Sequence, residues 1–300
     1  MSFSSNIKDE LYQIIGNSRH CQMAELVAVL HYLCREDEQG NFYIYTDHEE
    51  LLQKCYKLLL RIFAPRKEGE EKPSFEQLCS ADVLRTLKLV DDHNRLRSME
   101  EAVDKTLLKQ SCCKRAFLRG VFLCSGSVSN PEKGYHLEFV LSGEEFPKQI
   151  QSLIGSFGIE AKITTRKKYT IVYIKEGEGI VNLLNVMGAF TSLMDLENLR
   201  ILKEINNSIN RQMNCDTANI NKSVAAGRKQ IEDIMRIRDC RGFKDLPPSL
   251  QEIAELRLSY PELSLKELGE MLDPPIGKSG VNHRLRKLSE IAESLPDVIK

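Results

Sequence analysis

Two stretches of this chain, residues 20–34 (HCQMAELVAVLHYLC) and 112–124 (CCKRAFLRGVFLC), are apolar almost all the way round a helix. A helix without a polar face has to be covered on every side, so both must lie inside a fold large enough to bury them. The chain has 300 residues, more than the roughly 250 at which single cores stop growing. Two or three domains are therefore expected.

Around the first apolar helix, residues 4–17 form a helix capped by Ser4 and Ser5, residues 41–46 (NFYIYT) a short strand, and Asp47 caps a further helix to residue 60. The charged, turn-rich stretch 65–74 is expected to be a loop or a shortened hairpin, followed by amphipathic helices at 81–90 and 99–110. After the second apolar helix, 127–134 has turn composition and 135–141 (YHLEFVL) strand composition. A helix then opens at Ser142 and closes at Gly158. The alternating segments 159–165 and 169–174 flank Arg166, Lys167 and Lys168, the pattern of a hairpin, and a helix at 177–188 completes this part.

Strand signals stop beyond residue 191. A long helix leads to the polar run 214–219, where Asn214, Asn219 and Asn221 are expected to end one helix and cap the next, which runs over 221–240. Between Arg200 and Arg241 nine Lys or Arg stand against five Asp or Glu, so this connector is locally basic. The stretch 242–248 (GFKDLPP) places Pro at a helix start and marks the last boundary.

The nine cysteines are odd in number and show no C-x-x-C spacing, which argues against a disulfide framework or a zinc site and for reduced, buried thiols. The adjacent Cys112 and Cys113 offer a redox or metal element as the alternative, but neighbours on a helix point about 100° apart, so they are placed with the other thiols. No metal and no cofactor is expected. No segment has the apolar length of a membrane span, and the start of the chain lacks a basic region followed by an apolar one; a cytoplasmic protein is expected. A net charge of −1 says nothing for nucleic acid, so any such claim rests on local charge.

Local charge points to the C-terminus. Helices fit at 249–258, at 265–272 with Ser264 as N-cap, and at 279–295, the last two joined by Asp273, Pro274, Pro275, Ile276 and Gly277. A short helix, a turn with glycine and a longer helix make either a helix-turn-helix or an ordinary helical hairpin. In the last helix Val281, Leu285, Leu288, Ala292 and Leu295 share one side, while Ser279, Asn282, His283 and Arg286 lie opposite, with Lys278, Arg284 and Lys287 at its start and edges. No acidic residue falls between Gly277 and Ser289. A groove-reading helix needs this, because its N-terminal part meets bases and phosphates. Asn282 and Arg286 have base-reading side chains, and Arg284 and Lys287 suit phosphates. Against this stand the acidic Glu252, Glu255, Glu262, Glu267 and Glu270 of the two preceding helices.

Residues 246–295 resemble the C-terminal domain of the WhiA family, which is similar to the DNA-binding region 4 of sigma factors. The resemblance extends to 2–11 (SFSSNIKDEL), 112–131 (CCKRAFLRGVFLCSGSVSNP), 135–139 (YHLEF) and 207–231 (NSINRQMNCDTANINKSVAAGRKQI). It implies an α+β fold: a LAGLIDADG homing-endonuclease-like domain of two αββαββα halves, the first degenerate, then an all-α helix-turn-helix domain. The implied limits are 1–110 and 111–190 for the halves, 191–245 for the helical basic connector, and 246–300 for the terminal domain. Residues 118–126 fall on the nine-residue motif and 26–34 on its counterpart, with Gly120 and Ala28 at the central position. The motif's eighth position, acidic in the nucleases, is Ser125 in one half and Leu33 in the other. Neither can hold the divalent ion that activates water.

A DNA-binding transcription regulator without nuclease activity is therefore expected, at work in cell division, chromosome segregation and, in spore formers, sporulation. Its partner would be double-stranded DNA, contacted by Ser264, Lys278, Ser279, Asn282, His283, Arg284, Arg286 and Lys287, with auxiliary contacts from Arg166, Lys167, Lys168, Asn219, Arg228 and Lys229. A monomer associated with the nucleoid, with no small-molecule substrate, fits this expectation. A nuclease using Glu138 and Glu144 is the enzymatic alternative, although Glu144 stands in a first helical turn, where acidic residues are favoured for structural reasons. A module acting on RNA polymerase or on a second regulator is the alternative that the acidic helices favour.

Overall fold

A computed structural model describes residues 2–64 and 73–295, which form two compact units, Met1–Glu204 and Ile205–Lys300. Most of the stretch expected to be a loop or short hairpin at 65–74 lies outside the described residues.

The first unit is built on the two apolar helices. Helix α1 (Phe3–Gln13) starts earlier than expected, because the Ser2 hydroxyl accepts from the Ser5 amide. Helix α2 (Arg19–Leu33) is followed by the antiparallel pair β1 (Cys34–Glu36) and β2 (Phe42–Ile44), then α3 (Glu49–Phe63) and the short α4 (Phe75–Leu78) and α5 (Ala81–Thr86). The helix expected at 99–110 is reduced to a 3-10 turn, Lys105–Leu108. Gln149 explains why: its side chain accepts from the Val103 amide and donates to the Val103 carbonyl, taking both groups that a helix would have used.

The second half runs α6 (Ser111–Ser125), β3 (Gly126–Val128), β4 (Leu137–Leu141), α7 (Glu145–Gly155), β5 (Lys162–Arg166), β6 (Tyr169–Ile174) and α8 (Gly177–Met187). This is αββαββα, in a four-stranded antiparallel sheet of order β3-β4-β6-β5. Strand β3 is a correction, since a turn was expected there; it leaves the helix end directly and pairs Gly126 with Phe139. The first half matches only through αββα among the described residues.

Leu137, Phe139 and Leu141 alternate inward from β4 onto a core shared with α2 and α6. The two helices pack so closely that a Cβ at Gly120 would lie 2.8 Å from the Ala28 Cβ and 2.8 Å from the Glu25 carbonyl. Beside this contact lies a buried charge cluster. Glu25 receives two hydrogen bonds from Arg119, at 3.0 and 2.7 Å, and pairs with Lys54 at 2.7 Å. Lys54 spends its remaining protons on the Leu11 and Ile14 carbonyls.

Helix α9 (Phe190–Arg241) is divided between the units and is continuous. The break expected at 214–221 does not occur. The helix contains no proline, and a single Asn costs a helix only fractions of a kcal/mol; the Asn219 side-chain amide also settles on Cys215 one turn back. In the second unit, α10 (Pro248–Ser259), α11 (Leu265–Glu270) and α12 (Lys278–Glu293) enclose a core of Leu250, Ile253, Leu268, Val281, Leu285 and Leu288, joined by Ile234 and Ile237 of α9.

Candidate nucleic-acid interface

Three local devices set the angle at which α12 is presented. Ser264 and Glu267 form a reciprocal capping box that starts α11, and the Ser264 hydroxyl and backbone amide hold the Glu267 carboxyl below its ordinary pKa. At the end of α11, Gly269 lets the connecting turn pass close by: its carbonyl accepts from the Ile276 amide at 3.0 Å, and a Cβ there would collide with the Ile276 carbonyl. Within α9, Gly227 leaves room for the buried Arg257 of α10, whose guanidinium donates to the Leu263 carbonyl at 2.6 Å.

Helix α12 then divides as its spacing requires. Val281, Leu285, Leu288 and Ala292 are buried, while Lys278, Ser279, Asn282, His283, Arg286 and Lys287 are exposed on its first three turns. The Arg286 side chain is 80% exposed, its nearest carboxylate being Glu290 at 3.9 Å. Arg284 stands apart. Its side chain is only 25% exposed and turns to α10, 3.4 Å from the Ser249 carbonyl and 3.8 Å from Glu252. It therefore holds α12 to α10 and is not displayed with the others.

The acidic side chains of α10 and α11 are largely taken up locally. Glu252 pairs with Arg284, Glu255 accepts from Gln251, Glu267 caps its own helix and Glu270 lies 3.8 Å from Lys266. Of the residues on α9, Asn219 and Arg228 are exposed, and Lys229 lies 3.4 Å from Glu293.

In the first unit, Lys167 and Lys168 form the two-residue tip between β5 and β6, with Lys167 at a positive φ of 56°. Arg166 approaches Glu138 at 3.6 Å, and Lys168 stands over the Tyr169 ring. At the motif's eighth position, Ser125 is buried and donates to the Val121 carbonyl of its own helix, and Leu33 is buried. Glu138 is engaged by His136 at 3.0 Å. Among the described residues no helix is long and apolar enough to cross a membrane.

Comparison with known proteins agrees with this layout. Residues 114–206 match the WhiA LAGLIDADG-like domain and residues 209–292 the WhiA C-terminal HTH domain. A protein of Lachnoclostridium phytofermentans named probable cell division protein WhiA is 49% identical, covering 98% of this chain and 99% of its own length. One of the same name from Clostridium novyi is 40% identical, covering 98% of each. Full-length DUF199/WhiA from Thermatoga maritima, a crystal structure, superposes with a TM-score of 0.58 over 99% of this chain and 100% of its own at 24% identity, which speaks for the fold. With relatives this similar over almost its whole length, the chain belongs to the WhiA family.

Proposed function

We propose that this protein is a DNA-binding regulator of cell division in which α12 reads a short duplex site and no phosphodiester is cut. The observation that carries it is the sorting of α12: a buried apolar side, and on the open side of its first three turns two base-reading side chains, Asn282 and Arg286, among three exposed cations, Lys278, Arg286 and Lys287. Arg reads guanine and Asn reads adenine through paired hydrogen bonds, and Lys neutralises phosphate. On this reading Ser279 and His283, exposed on the same turns, take backbone or base-edge contacts, Ser264 a backbone contact beside its cap, and Lys167 and Lys168 of the first unit auxiliary phosphate contacts. The role in cell division comes from the names of the relatives, and with it action on the nucleoid in the cytoplasm. Loss of cleavage follows from Ser125 and Leu33 at the two positions where a nuclease keeps its metal-binding carboxylates.

The test is binding of the full chain to DNA selected from a random pool, for the native protein and two variants. Arg286→Ala should weaken the selected site by about 1 to 3 kcal/mol and flatten the base preference at one position, whereas Lys287→Ala should weaken every sequence alike. Equal and small effects from the two would remove direct readout by α12 and favour a module that acts through a protein partner.

A further inference from the structure

The two apolar helices begin side by side, and their first turns carry four side chains with metal-binding atoms. His20 and Cys21 are the second and third residues of α2, and Cys112 and Cys113 the second and third residues of α6. The match is positional. Residues 26–34 and 118–126 of the two halves correspond at an offset of 92, and the same offset sets His20 against Cys112 and Cys21 against Cys113. The pseudo-twofold relation that brings Ala28 against Gly120 at mid-helix therefore also brings two potential ligands from each half together at the helix starts.

The Nδ1 atom of His20 lies 3.2 Å from the Cys113 sulfur, 3.3 Å from the Cys21 sulfur and 4.0 Å from the Cys112 sulfur, and all four donor atoms lie within 4.8 Å of one another. In a tetrahedral zinc site with Zn–S of about 2.3 Å and Zn–N of about 2.05 Å, the nitrogen and each sulfur are roughly 3.6 Å apart and two sulfurs roughly 3.8 Å apart. The observed N···S separations straddle that value, and the widest separation in the cluster, up to 4.8 Å, closes by at most about 1 Å when the four atoms surround a zinc-sized ion. The donor set of three thiols and one imidazole is one that structural zinc sites use and that magnesium and calcium do not. Cys113 is buried, and Cys112 and His20 are exposed, which gives an ion a route in from solvent.

We propose that His20, Cys21, Cys112 and Cys113 form a tetrahedral zinc site that ties the two LAGLIDADG-like halves together at the starts of their central helices. The site is separate from the position where the nucleases hold their metal. That position, at Leu33 and Ser125, is twelve residues further along the same helices, about 18 Å away at 1.5 Å per residue. Each thiol gives up its proton to solvent as the ion binds, and the ion replaces the S–H···N and S···S contacts with bonds to both halves. The role is structural: four protein ligands fill the coordination sphere and leave no position for a substrate.

The experiment is titration of the reduced, metal-free full chain with Co(II) and then Zn(II), with parallel chelator-competition affinities and thermal unfolding. The expected result is one equivalent of Co(II), with the visible d–d and near-ultraviolet sulfur-to-cobalt bands of tetrahedral thiolate coordination, displaced by one equivalent of Zn(II) that raises Tm. Cys112→Ser, a substitution at an exposed position, should weaken binding at least tenfold while the circular dichroism spectrum is retained. Cys113→Ser and His20→Ala should do the same. Cys215→Ser, on the exposed face of α9, should change nothing. Failure of the reduced chain to bind either ion stoichiometrically, a spectrum of octahedral type, or affinity unaltered by Cys112→Ser would overturn the site. A Cys21–Cys113 disulfide in freshly isolated protein whose reduced form takes up no metal would overturn it too, in favour of a redox pair.

Discussion

Gly120→Ala tests the contact on which the first unit is built. In most helices this change stabilises by about 1 kcal/mol, because alanine is the better helix former. Here the added methyl would lie 2.8 Å from the Ala28 Cβ and 2.8 Å from the Glu25 carbonyl, where carbon contacts are at their optimum near 3.5 to 4.0 Å. Neither neighbour is the free end of a flexible side chain, so α2 and α6 must separate by roughly 0.7 Å at the crossing. A gap of 0.5 to 1 Å forfeits a quarter to a half of each dispersion contact, and overpacking of this kind costs about 1 to 3 kcal/mol. Set against the propensity gain, the net loss is about 0 to 2 kcal/mol, or up to roughly 8 °C in Tm for a unit of this size. Thermal unfolding of the full chain followed by circular dichroism measures it. The double substitution Ala28→Gly with Gly120→Ala removes the methyl–methyl conflict and leaves the one with the carbonyl. It should therefore cost less than the sum of the single changes by about 1 kcal/mol. Additive effects, or a Tm that rises in Gly120→Ala, would mean that the helices do not touch at this point.

Two further outcomes follow from buried charge. Glu25→Ala leaves Arg119 and Lys54 inside the fold without their shared carboxylate, and loss of one partner from a buried pair costs about 3 to 5 kcal/mol; urea unfolding should register it, with Glu25→Gln falling between. His31 is 5% exposed and packs on Phe146 with ring centroids 4.7 Å apart, and burial pulls its pKa down to about 4. The unfolded chain takes up that proton near pH 6.5 and the folded chain only near 4, so this contribution to stability is complete above about 6.5 and is lost as pH falls from there to 4. It amounts to about 2 kcal/mol between pH 7 and pH 5, and a His31→Leu variant whose stability falls equally steeply over that range would exclude His31 as the source.

Those elements were legible in the sequence that one short periodicity determines. The β5–β6 hairpin and the apolar side of α12 follow from repeats of 2 and 3.6 residues, and the two all-round apolar helices from the length of their apolar runs. What escaped depends on groups far apart in the chain. Gln149 unwinds the segment expected to be a helix at 99–110 from 46 positions away, and β3 is too short for alternation to mark it. The Asn run inside α9 stays helical because capping preference does not end a helix that has no proline to interrupt its hydrogen bonds. For the thiols at 21, 112 and 113 a signal did exist: extending the offset of 92 backward from the motif pairs His20-Cys21 with Cys112-Cys113. Helix geometry considered one helix at a time hides it, since adjacent residues diverge on a single helix and converge only where a second helix begins beside them.

A chain of net charge −1 can bind DNA only through a few local cations, and the salt dependence counts them. Arg284 is turned away to Glu252 and Lys229 lies beside Glu293, which leaves Lys278, Arg286 and Lys287 as the exposed cations of α12. Each phosphate neutralised contributes about −0.9 to the slope of log K against log salt, so three give roughly −2.7. Lys167 and Lys168, at a strand tip in the other unit, would add about −1.8 if they also meet phosphate, whereas Arg166 is partly satisfied by Glu138. Binding measured across a salt series therefore separates the two cases. If Lys167→Ala with Lys168→Ala lowers the slope by close to two, the LAGLIDADG-like unit has kept a grip on DNA after losing the residues to cut it. If the slope is near −2.7 in both proteins, α12 carries the phosphate contacts by itself. A slope near zero would show that the exposed side of α12 meets no duplex at all.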